Sequence, residues 1–222
     1  MSKTVSIKTI SGLAAVALLM GCTGPKPVAY SGLASASYLK PNPGGPVKTP
    51  YTYTSQVNWQ SYSKVILDSV TIYDGADNQF GSVSNSDKTE LAQYMQKRFT
   101  DELGKHFTIV TTPDAGTLRI HLTLTGAILS KFPLSTALHL DIAGNLYNAT
   151  ELALGGPGAM TGSVMYSVEI YDAQSNQLLA AYVTKQYPNS ENIIASFGTL
   201  GAAKTGIGKG AKALTMLLEE GV

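Results

Sequence analysis

Few side chains in this sequence have the type and spacing that invite chemistry, and the first is its lone cysteine. Cys22 closes an apolar run in the order Leu19-Met20-Gly21-Cys22. A thiol is a good acceptor of an acyl group, and the small Gly21 before it fits a peptidase pocket. His106, His121 and His139 match no zinc spacing, and no second cysteine can join them, so no metal site is expected. No serine lies in a Gly-x-Ser-x-Gly elbow, and no Ser-His-Asp set stands out. Asp68 reads as a strand-end or turn-forming residue; a hydrolytic role would need a pocket joining it to a histidine. Gly206-x-Gly208-x-Gly210 lacks the preceding strand of a phosphate loop and reads as a place for close helix packing or a bend. Trp59, the only tryptophan, with Tyr51, Tyr53 and Tyr62, either forms an aromatic contact surface or closes the core where the preceding segment enters. The expectation is a binding surface without a catalytic residue, cofactor or metal.

The surroundings of Cys22 explain its position. Lys3 and Lys8 precede an apolar stretch from Ile10 to Met20, and about ten helical residues rise roughly 15 Å, half a bilayer core. Such a stretch engages secretion machinery without spanning a membrane, so residues 1–21 read as a signal peptide. The thiol after Gly21 resembles the bacterial lipobox, whose cysteine is acylated and becomes the mature N-terminus. Three acyl chains, as a mature bacterial lipoprotein carries, exceed the two signals needed for stable anchoring. Thr23, rather than Asp, follows the cysteine, so the resemblance implies an outer-membrane lipoprotein facing the periplasm. With Cys22 acylated no disulfide remains to be formed, and stability must come from packing.

The sequence has 222 residues and a net charge of +1, which falls to −1 once Lys3 and Lys8 leave with the signal. A nearly neutral surface with only Arg98 and Arg119 gives nucleic acid little to hold. Residues 22–54 are rich in Pro, Gly, Ser and Tyr and read as a tether, part of it lying on the domain. Residues 55–222 read as a single α+β periplasmic domain.

Within that domain, Val65 to Tyr73 carries apolar residues on both parities and reads as a central strand. Ser86 or Asp87 is expected to cap a helix whose stripe runs through Leu91, Tyr94, Met95, Phe99 and Leu103, with Gly104 as its stop. Short strand Phe107 to Val110 follows, then Leu118 to Thr125, where Leu118, Ile120, Leu122 and Leu124 alternate with Arg119, His121, Thr123 and Thr125. This alternation predicts a strand with one buried and one polar face. Ser163 to Tyr171 and Leu178 to Tyr187 read as a hairpin around Asp172–Gln177. Lys131 to Gly162 gives no clear period; Gly155-Gly156-Pro157-Gly158 suggests a mobile loop. Ile193 to Leu218 reads as a terminal helix weakened by four glycines. The order predicts a two-layer sandwich, a mixed and mainly antiparallel sheet of about five strands with two helices on one face.

Four stretches carry a family likeness: Tyr30-Ser31-Gly32-Leu33, Leu39-Lys40-Pro41, the run from Val57 to Val70, and the hairpin Val168–Asp172 to Gln177–Ala180. Through them the body resembles a bacterial family known only as a domain of unknown function, number thirty-three thirteen, composed of envelope lipoproteins. Family members often have Asp where this sequence has Asn58. The resemblance implies no activity, since the family brings no catalytic residue to carry over. The expected role is a non-enzymatic interaction or assembly module of the envelope, attached by lipid and meeting an envelope protein partner. The alternative is a ligand-binding module for peptidoglycan or a glycolipid.

Overall fold

A computed structural model describes residues 25–46, 48–130, 162–188 and 198–220. Cys22, His139, the Gly155 loop and the start of the expected terminal helix lie outside the described residues. One mixed sheet of eight strands organises the rest: β1 (Lys40–Pro41), β2 (Tyr51–Thr54), β3 (Lys64–Leu67), β4 (Thr71–Ile72), β5 (Thr108–Ile109), β6 (Thr117–Ile128), β7 (Ser163–Asp172) and β8 (Leu178–Gln186). Their order is β1-β2-β8-β7-β6-β3-β5, with β4 pairing β6 beyond β3. β3, β4 and β5 pair in parallel and the other pairs are antiparallel. Helices α1 (Asn85–Leu103) and α2 (Gly201–Glu220) pack against each other and on the sheet. The α+β class therefore holds, but the strand count of about five is too low. The stretch before residue 55 adds β1 and β2, and the apolar run at 65–73 is broken at residues 68–70 into β3 and β4.

The helices form where the apolar stripes lie. Leu91, Met95, Phe99 and Leu103 are fully buried, and each such side chain contributes about 1.5–3 kcal/mol on leaving water. The cap of α1 sits at Ser84, two or three residues earlier than expected. Its Oγ accepts from the Asp87 N–H at 3.1 Å and donates to Asp87 Oδ2 at 2.8 Å. Gly104 is the C-cap, as read from the sequence. The side chains of Leu118, Ile120, Leu122 and Leu124 on β6 and of Val164, Tyr166, Val168 and Ile170 on β7 meet both helices in one core.

The other face was expected to stay polar and open. It is polar in composition but covered: Thr125, Ser167 and Glu169 are buried. Residues 25–39 lie across it. Tyr30 is 1% exposed, adopts φ +44, and sets its ring edge-on to Tyr73 with centroids 5.4 Å apart. Left-handed backbone is costly for a tyrosine and persists only when its surroundings hold it. They do: Tyr30 Oη donates to Gln79 (2.8 Å), and Tyr73 Oη and Glu169 Oε1 accept from the N–H groups of Gly32 (2.9 Å) and Ser35 (2.6 Å). Leu33, Leu39, Ala181 and Val183 complete this second cluster, with Tyr51 and Tyr53 against it.

Candidate functional site

Among the concave sites beside the sheet, two bring together residues singled out by the sequence, one on each face. The first follows from the extra strands. α2 packs on β7 and β8, and the sheet continues past it into β2 and β1. The strip beside the helix becomes a groove of about 520 Å³. Tyr166, Ala180, Tyr182 and Thr184 make its floor with Thr52 and Thr54; Gly210, Ala213 and Leu217 of α2 make one wall; Trp59 lines it from the 3₁₀ turn at Trp59–Ser61. Asn42, Pro46, Lys48, Thr49, Tyr53, Ala181 and Gln186 complete the described lining, so Tyr53 and Trp59, both aromatic candidates from the sequence, border the same groove.

Small residues on α2 let it approach the sheet. A Cβ on Gly206 would stand 2.8 Å from the Gln186 carbonyl oxygen, and one on Gly210 would fall 1.7 Å from Tyr166 Oη. Gly208 faces away, with Arg98 no nearer than 3.9 Å. Gly206 and Gly210 therefore serve close packing, one of the two roles read from the sequence, and Gly208 does not. Tyr166 stands edge-on to Phe99, centroids 5.9 Å apart. Burial pushes the phenols of Tyr166 and Tyr182 well up from their ordinary value, so both remain neutral.

Lysines gather at the end of β8 that adjoins the groove. Lys209 Nζ donates to the Tyr187 carbonyl at 3.2 Å, and Lys48 Nζ stands 4.5 Å above the Tyr187 ring. Burial, and then the neighbouring Lys48, push the Lys209 ammonium down to about 8. Burial also lowers Lys185, whose N–H donates to the Lys48 carbonyl (2.9 Å) and whose Nζ donates to the Pro25 carbonyl (3.0 Å).

The second site, about 370 Å³, lies on the opposite face under Gly32, Leu33 and Ala34. It brings together the pair that a hydrolytic reading of Asp68 required: His121 Nε2 is 2.7 Å from Asp68 Oδ2. Arg119 Nε is 3.4 Å from the same oxygen, and the imidazole meets the Tyr171 ring with centroids 5.1 Å apart. A hydrolytic triad also needs a nucleophile hydrogen-bonded to the imidazole. Among the described residues no hydroxyl or thiol bonds His121 Nε2. The arrangement is a charged patch where β3 ends against β6.

Of the four aromatic candidates, Trp59 and Tyr53 border the groove, whereas Tyr51 and Tyr62 do not line it. Trp59 and Tyr62 pack with the helix-side core, whereas Tyr51 and Tyr53 pack with the second cluster, Tyr53 against Tyr38 at 5.2 Å. Tyr62 Oη donates to Asp172 Oδ2 at 3.0 Å. His106, just past α1, pairs with Glu219 of α2. Among the described residues no group of three or more metal-ligating side chains occurs, and no helix is long and apolar enough to cross a membrane. Sequence reasoning missed Tyr166, Tyr182, Ala213 and Leu217 as groove residues. Gly206 and Gly210, one turn apart, were the available signal.

A family described as protein of unknown function (DUF3313) matches residues 29–214. No curated protein matches the sequence. Solved structures with a similar arrangement include the PelC L103M dodecamer of Paraburkholderia phytofirmans, at 10% identity and TM-score 0.39, covering 74% of this chain and 94% of that one. A candidate lipoprotein of Caulobacter crescentus CB15 has 10% identity and TM-score 0.31, covering 72% and 90%. A Xanthomonas campestris protein of family DUF330 has 10% identity and TM-score 0.35, covering 74% and 90%. At these scores none of the three bears on function.

Proposed function

The chain belongs to the DUF3313 family of proteins of unknown function, and from that premise we propose that it is a lipoprotein of the cell envelope that works by binding, not catalysis. Cys22 carries the lipid, the outer membrane holds the anchor, and the domain faces the periplasm. The groove beside Trp59 receives an apolar group, which makes the protein a non-enzymatic interaction module. The observation that carries the reading is the groove's lining. Its described lining combines aromatic, small and aliphatic side chains with threonines, Asn42, Gln186 and the single charged Lys48, and holds no carboxylate, imidazole or thiol to move a proton. A semi-enclosed slot of this kind suits a chain-like apolar group better than a flat protein face, and this favours a lipid-type ligand over a protein partner.

Trp59 makes the test direct, because it is the only tryptophan and it lines the groove. Oleate titrated into the full-length Cys22→Ser protein should shift and saturate Trp59 emission. Unchanged emission through the titration refutes the groove as a binding site. Recovery of one protein partner by periplasmic crosslinking, with oleate inert, would replace the lipid-type ligand by an envelope protein. Cys22→Ser should release the protein from the membrane fraction; retention there would refute the anchor.

A further inference from the structure

The Pro-rich stretch after Cys22 reads in sequence as a spacer of residues 22–54. As a flexible coil of that length it would reach roughly 30 Å. The structure leaves far less chain free. Pro25 is held by Lys185 Nζ at 3.0 Å and Lys26 by Gln79 Nε2 at 2.6 Å, each through its carbonyl oxygen. Tyr30, Ser31, Gly32 and Ser35 follow in docked positions. Only Thr23 and Gly24 separate Cys22 from Pro25, so the two Cα atoms are at most about 11 Å apart. The headgroup layer on one side of a bilayer is itself roughly 5–8 Å deep. An acyl group on Cys22 thus brings Pro25 to the headgroup surface.

Lys185 links that point to the groove. Its side chain reaches Pro25, and its backbone N–H bonds the carbonyl of Lys48, which lines the groove. Lys26, Lys48, Lys185 and Lys209 therefore gather at one end of the sheet. We propose that the domain lies against the bilayer with this lysine-bearing end facing the lipid, and that the groove takes one acyl chain of a membrane phospholipid whose anionic headgroup rests on Lys48 and Lys209. Three observations support it: the short free tie, the cations at the groove end, and the apolar walls formed by Trp59, Ala180, Ala213 and Leu217. The proposal rests on lipidation of Cys22.

The test uses the lipidated full-length protein in vesicles of phosphatidylethanolamine and phosphatidylglycerol. Intact mass first establishes the acyl groups on Cys22; their absence overturns the anchor, and with it the bilayer orientation, without touching the oleate result on Cys22→Ser. With acyl groups present, acetylation read by mass spectrometry should modify Lys26, Lys48 and Lys185 about five-fold more slowly than in detergent, the scale set by lysine attraction to an anionic surface. Lys97, exposed on α1, should be modified at an unchanged rate. Equal rates at all four sites overturn the docked orientation. Phosphatidylglycerol brominated on its acyl chains should quench Trp59 more strongly than brominated phosphatidylcholine, and K48Q/K209Q should erase that difference. Quenching that is absent, or equal for both lipids, overturns the groove assignment.

Discussion

Substituting alanine for each glycine of the α2 series tests how that helix meets the sheet. In an exposed helix interior, Gly→Ala stabilises by about 0.8–1 kcal/mol, because alanine loses less backbone entropy. Gly208 is half-buried but has room for a methyl group, its nearest non-local atom being 3.9 Å from a would-be Cβ. Gly210 does not: a Cβ would sit 1.7 Å from Tyr166 Oη. Tyr166 is 1% exposed and wedged against Phe99, so its ring cannot swing clear without opening the core. Overpacking of this kind costs about 1–3 kcal/mol. The helix-propensity gain is common to both sites and cancels in their difference, so G210A should be less stable than G208A by about 1–3 kcal/mol. Gly206 should behave like Gly210, since its obstacle is the backbone of Gln186. Urea unfolding of the three variants in the Cys22→Ser background measures the differences directly, and thermal midpoints should separate by about 2–4 °C per kcal/mol. If all three variants agree within about 0.5 kcal/mol, α2 does not approach the sheet through this face.

Other expectations concern the core and the N-terminal segment. Phe99→Ala should lower the urea unfolding free energy by about 3–5 kcal/mol, because the emptied site lies between two helices and the sheet. Glu169→Ala strands the buried N–H of Ser35 and should cost about 1–3 kcal/mol, whereas Glu169→Gln keeps a carbonyl acceptor and should recover most of it. Asp77 accepts from Tyr73 Oη and the Ser31 N–H, and these bonds hold its carboxyl below the usual range. Its folded value is depressed, so its contribution is present above the unfolded value and lost as pH falls through the folded one. Hydrogen exchange at Ser31 and Gly32 should therefore accelerate in acid, relative to the intrinsic rate, sooner than exchange within β6 and β7. Parallel change in all segments would contradict this.

Local pattern carried much of the fold. The alternation at Leu118–Leu124, the hairpin around Asp172 and the stripe through Leu91, Met95 and Phe99 each describe an element whose neighbours in sequence are its neighbours in space. What escaped was non-local. Tyr51–Thr54 is four residues long and follows prolines, so it reads as spacer until β8 supplies its partner. Asp68 and His121 are 53 positions apart, and only the parallel register of β3 on β6 brings them together. Thr123, Thr125 and Ser167 look like a solvated face because nothing in β6 or β7 indicates that Tyr30 will fold over them. The groove was hidden for the same reason: its walls come from β2, β8, α2 and the turn at Trp59. Trp59 and the α2 glycines were legible as residues of interest, but their meeting was not.

The borders of the sheet, among the described residues, have a consequence for the surface confinement proposed above. Proteins tethered in a plane meet one another at effective concentrations far above those in free solution, and a long bare strand would then recruit its copies. Here one border is the two-residue β1, which contains Pro41, and the other is made of the two-residue strands β4 and β5. Pro41 brings no N–H to offer a neighbour, and neither border is long enough to seed a ladder. Under the proposed lipid anchor, dense packing on a leaflet is thus compatible with separate copies that do not exchange strands.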